Sequence, residues 1–199
     1  MMPPPPRPVE QAGSMDQPSG TAAPQPYTIR PASMADAAAL PALEQAAAQA
    51  FCTIPELKWL ADGDTLPLPT HQACITARTC WVGVDSQDRP LGFLSAHPYG
   101  DALHILEMSV IPAAQGRGLG RHLLRAACTG AQALGLRSVT LTTFVTVPWN
   151  APFYARQGFS VVPPSAQDAR LRAILAHEVA QGFAAESRCA MRLDLPPAP

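Results

Sequence analysis

The chain has 199 residues, with 14 Lys and Arg against 15 Asp and Glu, a formal net charge of −1 at pH 7, and 47% hydrophobic residues. That length supports one domain with a real core, and the near-neutral balance excludes a global pull toward nucleic acid or an anionic membrane surface. The five cysteines (Cys52, Cys74, Cys80, Cys128, Cys189) are odd in number and lack metal-type pairs, so neither a disulfide framework nor a zinc site is indicated, and scattered thiols suit a reducing cytoplasm.

Residues 1–26 are Pro-rich and polar, with little to bury, and are expected to form a disordered tail. They lack the basic and apolar regions of a signal peptide, and no stretch of the chain approaches the roughly 20 apolar residues of a membrane span. Tyr27 to Pro31 reads as a strand. Ser33 and Asp36 form a capping-box variant that opens a helix to about Gln49, kinked or restarted at Pro41. Residues 52–78 are poorly patterned, with a short helix expected around Glu56 to Ala61. Cys80–Val84 and Leu91–Ala96 flank the turn-rich Asp85 to Pro90 and predict an antiparallel hairpin. Leu103 to Val110 is an apolar strand that runs into a glycine-rich loop and an amphipathic helix from Gly118 to Leu134, closed by Gly135 and Leu136. Strands follow at Ser138–Phe144 and Phe159–Val162, then a helix capped within Ser165 to Asp168 and reaching about Gln181, then a last strand from Arg188 to Leu195. This order predicts an α/β (α+β) fold: a mixed, mostly antiparallel sheet with helices on both faces.

The segment Met108-Ser109-Val110-Ile111-Pro112-Ala113-Ala114-Gln115-Gly116-Arg117-Gly118-Leu119-Gly120 is the most informative in the chain. Its glycines let the backbone turn tightly and approach a ligand, and the helix that follows points unpaired N–H groups and its dipole outward, making an anion site. Arg117 and Arg121, one turn apart, can add full charges to the same anion. No Lys or Ser/Thr follows Gly120 as a P-loop requires, and the spacing does not match the dinucleotide Gly-x-Gly-x-x-Gly fingerprint. Downstream, Pro148-Trp149-Asn150-Ala151-Pro152-Phe153-Tyr154 precedes Gly158-Phe159 at the start of the next strand.

Gln115-x-x-Gly118-x-Gly120 directly after a Leu-x-Val-like strand end, followed in order by Asn150, Tyr154 and Gly158-Phe159, resembles the GNAT superfamily of N-acetyltransferases over roughly Tyr27 to Leu195. The resemblance divides the chain into a tail (1–26), an acetyltransferase domain (27–195) and a short C-terminal tail (196–199). It implies a GNAT-like fold whose two central strands splay apart after Met108–Val110. Acetyl-CoA would then be the co-substrate, held by Met108, Ser109, Val110, Gln115, Gly116, Arg117, Gly118, Leu119, Gly120, Arg121, Asn150 and Tyr154, with no metal. The acyl group would pass to the amine of a small molecule, an amino acid or a protein N-terminus by direct attack in a ternary complex, with no nucleic-acid or membrane partner and a homodimer left open. A non-catalytic acyl-CoA sensor and an unrelated phosphate-binding module are the competing classes. Retention of both Asn150 and Tyr154 favours the enzyme.

Within that reading Tyr154 is the candidate general acid, because a phenol pKa of about 10 keeps it protonated at neutral pH. Two residues can supply the base, His104 and Glu107. Strand alternation places His104 with Leu106, Met108 and Val110, and Glu107 on the opposite face with Ile105 and Ser109; a β-bulge would change that parity. Phe51, Trp59 and segment 52–78 resemble the region that shapes the acceptor pocket in relatives, while for Trp149 an acceptor-side place and a core role are equally open.

Overall fold

The computed structural model describes residues 27–196; the tail expected over 1–26, and residues 197–199, lie outside the described residues. The chain runs β1 (Thr28–Pro31), α1 (Leu40–Ala48), α2 (Leu68–Thr76), β2 (Cys80–Val84), β3 (Pro90–Tyr99), β4 (Ala102–Val110), α3 (Leu119–Ala133), β5 (Ser138–Phe144), α4 (Ala151–Arg156), β6 (Ser160–Val161), α5 (Ala169–Ala180) and β7 (Arg188–Asp194), joined in places by 3₁₀ turns. The seven strands form one mixed sheet in the order β1-β2-β3-β4-β5-β7-β6, as the α/β expectation requires. Every pair is antiparallel except the parallel pair β4–β5. Chain order does not reveal that β7 inserts between β5 and β6. The physical reason is length: β7 matches β5 along seven residues, Ser138↔Asp194 to Phe144↔Arg188, whereas β6 has only two residues, both exposed. Among the described residues no helix is long and apolar enough to cross a membrane.

Helices cover both faces. α3 buries Leu119, Leu123, Leu124, Ala127 and Ala131, a stripe at helical spacing, against Leu94, Leu103, Val139 and Leu141 of the sheet. Each fully buried leucine on this stripe contributes about 1.5–3 kcal/mol of apolar burial. The end of α3 follows the sequence: the Gly135 N–H bonds the Gln132 carbonyl and the Leu136 N–H bonds the Ala131 carbonyl. On the opposite face Leu40, Cys74 and Ile75 pack on Val82, Val84 and Phe93, and α5 joins them through Thr142, whose hydroxyl donates to Glu178.

Segment 33–78 is more helical than its sequence suggests. The helix expected from Ser33 is broken into a turn, a 3₁₀ turn at Ala37–Ala39 and α1, with Pro41 in its first turn. Helix α2 escapes detection because its buried stripe, though at helical spacing, is written with His71 and Cys74 beside Ile75. The cap of α5 is Asp168, whose Oδ1 accepts from the Leu171 N–H at 2.7 Å, while Ser165 lies in a preceding 3₁₀ turn.

Asp36 ties this segment to β1. Its carboxylate accepts from the Ser33 N–H and hydroxyl and receives both guanidinium ends of Arg30, at 2.8 and 2.9 Å. The Arg30 hydrogen bonds hold the buried Asp36 carboxyl at about 2. A depressed carboxylate stabilises the fold above its unfolded pKa of about 3.9, and that stabilisation is lost as pH falls toward 2. Asp36→Asn is therefore expected to cost about 2 kcal/mol at pH 7, read as a lower urea midpoint, and to flatten the pH dependence of stability between about 4 and 2. A midpoint equal to wild type at pH 7 would contradict this.

Two features of β4 build the centre of the molecule. Its register with β3 slips: Ser95 faces Glu107 and Ala96 faces Ile105, leaving Leu106 as an extra residue. This β-bulge reverses the side-chain phase. Leu103 and Ile105 before it, and Met108 and Val110 after it, all face α3. His104 and Glu107 consequently share the other face, which simple alternation denies them. Second, β4 pairs with β5 only at Ala102↔Ser138, Leu103↔Val139 and His104↔Thr140, and the strands then diverge. The splay thus opens from Ile105 onward, not after Met108–Val110.

Candidate active site

A cavity of about 660 Å³ occupies the splay, reaching from α1 to the loop before α3. At the loop end, Gly116 and Gly118 adopt φ of +72° and +84°, a region costly for residues with a Cβ. The first hydrogen bond of α3 joins the His122 N–H to the Gly118 carbonyl, so the N–H groups of Leu119, Gly120 and Arg121 have no intrahelical acceptor. Gln115, Gly116, Gly118, Leu119, Gly120 and Arg121 all line the cavity. Arg117 does not, although the sequence paired it with Arg121. Left-handed turns bracket it, its carbonyl is held by the Tyr27 hydroxyl at 2.9 Å, and its side chain is exposed. Tyr27 also lies 2.8 Å from His122 Nδ1, bracing the loop against the first turn of α3; its position ahead of β1 gave no sign of this.

Met108, Ser109 and Val110 form the β4 wall. The Ile111 N–H bonds Leu91 on β3, so backbone alternation turns the main-chain groups of Met108 and Val110 toward the diverging β5. One of them is already used: Gln115 Nε2 donates to the Val110 carbonyl at 2.9 Å. Gln115 therefore closes the loop onto the strand.

Asn150 stands at the N-cap position of α4, but its side chain does not cap the helix. Its Oδ1 accepts from the Thr143 hydroxyl at 3.1 Å, and its Nδ2 is buried without a protein partner. A buried unpaired donor costs about 1–3 kcal/mol, and one that belongs to a cavity-lining residue fits a ligand carbonyl. Tyr154 is buried, packed on Phe153 and Phe159, and lines the same cavity. Burial, then the nearby Glu107 charge, raise its phenol above the ordinary value, so it stays protonated.

Glu107 reaches the cavity because of the bulge, and its Oε1 accepts from the Ser109 hydroxyl at 2.7 Å. Burial raises its pKa above the usual carboxylate range. His104 is not there. It sits at the last paired position before the strands part, only 3% exposed, with Nδ1 3.0 Å from the Thr140 hydroxyl. Burial, with the neighbouring Arg170 charge, pushes it down to about 3, so it is neutral and outside the cavity lining.

Three lining residues went unnoticed in the sequence. Glu44 of α1 accepts from the Leu66 N–H through both oxygens, at 3.1 and 3.0 Å, and burial together with the Glu107 charge pushes it up to about 8. Glu178 and Arg188 form a doubly hydrogen-bonded pair at 2.8 and 2.9 Å, with the guanidinium 4.5 Å from the Phe144 ring centroid and 5.0 Å from that of Phe183. The visible signal for Glu44 was a lone carboxylate in an alanine-rich helix. Of the expected acceptor-side aromatics, Phe51 and Trp149 line the cavity, while Trp59 is outside it and packs on Phe183. All five cysteines are free, and Cys128 lies within α3, outside the lining.

The family model described as acetyltransferase (GNAT) family matches residues 45–159, which span the glycine loop, β5 and α4. The chain belongs to the GNAT acetyltransferase family. The GNAT fold is equally evident in solved structures. The PaiA N-acetyltransferase of Thermoplasma acidophilum, in complex with coenzyme A, superposes with a TM-score of 0.61 at 15% identity, covering 84% of this chain and 98% of that one. The ribosomal-protein-S18-alanine N-acetyltransferase of Escherichia coli gives 0.60 at 16%, covering 87% and 96%. The N-acetylglutamate synthase of Neisseria gonorrhoeae, complexed with coenzyme A and N-acetyl-glutamate, gives 0.62 at 15%; 85% of this GNAT chain aligns, spanning 35% of the synthase.

Proposed function

We propose that this chain is an acetyl-CoA-dependent N-acetyltransferase that acts on a primary amine in a ternary complex. The observation that carries the reading is the convergence, in one cavity, of the helix N-terminus at Leu119–Arg121, the unpaired Asn150 amide, the protonated Tyr154 phenol and the Glu107 carboxylate. Free N–H groups of the loop and the Arg121 guanidinium hold the pyrophosphate. Main-chain groups of Met108 and Val110 extend β4 along the pantetheine arm, and the Asn150 amide donates to one of its carbonyls. Glu107 takes the proton from the amine as its nitrogen bonds to the thioester carbon. As the carbon–sulfur bond breaks, the Tyr154 hydroxyl gives its proton to the sulfur, and solvent restores it. His104 takes no part in these transfers. Coenzyme A in two of the superposable structures supports the co-substrate, and scattered free thiols support a cytoplasmic setting.

Thermal denaturation tests this first. Acetyl-CoA at 100 times its Kd is expected to stabilise the protein by about 2.7 kcal/mol. A shift with ATP or NAD but none with acetyl-CoA would defeat the proposal. Gly118→Val is expected to abolish the acetyl-CoA shift while far-UV circular dichroism stays near wild type, because a β-branched residue at φ +84° forces the loop to move.

A further inference from the structure

We infer that the acceptor end of the cavity selects a small primary ammonium with an apolar body and no carboxylate beside the reacting nitrogen. This rests on the acyl-transfer reading above and adds the acceptor class to it.

Charge is the first ground. Glu44 and Glu107 both line the cavity, and its two cationic lining residues are committed elsewhere. Arg121 stands at the glycine loop, and Arg188 is doubly hydrogen-bonded to Glu178. A carboxylate on the acceptor would meet the Glu44 and Glu107 carboxyl oxygens and no unpaired cation at that end, whereas a bound ammonium supplies the opposite charge that favours their ionised form.

The aromatic wall is the second. Phe51 lies 5.7 Å from Phe144 and 5.8 Å from Trp149, ring centroid to ring centroid, and Phe144 and Phe183 already receive the Arg188 guanidinium on their faces. This cluster therefore binds one cation by its ring quadrupoles. Ala47, Ala48 and Ala50 line the same end, small side chains that give a hydrocarbon body an apolar surface without filling the space.

The third is how Glu44 is held. Both oxygens accept from the Leu66 N–H, and behind it stands fully buried His71, whose Nε2 has no hydrogen-bond partner and lies 4.0 Å from Glu44 Oε2. The other ring nitrogen of His71 is fixed by the Ser95 hydroxyl at 2.9 Å, and burial keeps the imidazole neutral. Glu44 is a positioned carboxyl group with no cationic partner among the described residues, and a bound ammonium would favour its ionised form.

A matched pair of acceptors differing in one carboxylate tests the inference. 2-Phenylethylamine and L-phenylalanine are titrated calorimetrically into the full chain saturated with coenzyme A, then compared as substrates with acetyl-CoA. The amine is expected to bind at least about tenfold more tightly and to show the higher kcat/KM. Equal or tighter binding of phenylalanine, or no binding of the amine, overturns the inference and leaves acyl transfer standing. Failure of coenzyme A to bind would instead defeat the acyl-transfer reading. Glu44→Gln is expected to shrink the amine-over-amino-acid ratio while coenzyme A affinity stays within about twofold; an unchanged ratio removes Glu44 from the selection. The wild-type comparison decides the matter even if that variant does not fold.

Discussion

Glu107→Gln is expected to lower kcat/KM for an alkylamine acceptor by about 10²- to 10⁴-fold, the range of general base catalysis, and to abolish the acidic limb of its pH profile. The base must be ionised to work, so activity rises with pH through its pKa. Burial raises that pKa, and the neighbouring Glu44 carboxyl, itself pushed up to about 8, titrates with it. The wild-type limb should therefore lie above the ordinary Glu value of about 4.3 and belong to the pair of carboxylates rather than to one. His104→Asn should leave the limb in place, since the imidazole faces Thr140 and not the cavity. Retention of the limb by Glu107→Gln would mean that the amine arrives already neutral and that the site works chiefly by positioning.

Tyr154→Phe should reduce kcat by about 10²-fold with acetyl-CoA affinity unchanged, because the ring keeps its packing on Phe153 and Phe159 and only the proton is removed. The raised phenol pKa gives a second readout. Its direction means that the wild-type rate does not decline through phenol ionisation below about pH 10, the ordinary Tyr value. Full kcat in the variant with a verified acceptor would assign the sulfur's proton to solvent or another group.

The glycine loop, β4, β5, the end of α3, and the order of Asn150 and Tyr154 were legible because local chemistry dictates them: apolar strand runs, a glycine at each sharp turn, a glycine closing a helix. Glu107 and His104 were both visible, but which one reaches the cavity was not. That depends on one unpaired residue, Leu106, and on how far β4 and β5 stay joined, both products of pairing between distant segments. The insertion of β7 beside β5 has the same origin. Glu44 and the Glu178–Arg188 pair come from helices and a strand far from the motif, and single charged residues in helices look solvated until a sheet is placed against them. Arg117 lies outside the lining for the opposite reason: helical spacing from Arg121 counted it on a helix that begins two residues later.

The extra residue in β4 also governs how this segment can be compared with any other chain. Upstream of Leu106 the odd-numbered positions Leu103 and Ile105 belong to the α3 core; downstream the even-numbered Met108 and Val110 do. An alignment displaced by a single residue across this point would equate every cavity-facing side chain with a core-facing one while each half still looked like a well-formed strand. Correspondences before and after the bulge must therefore be anchored independently, the first on the Ala96↔Ile105 pairing and the second on Ser95↔Glu107. Deleting Leu106 would accordingly remove the phase break without inverting either half: Ile105 and Met108 would still face α3 and Glu107 the cavity, on a ladder that no longer carries the local bend and twist of a bulge.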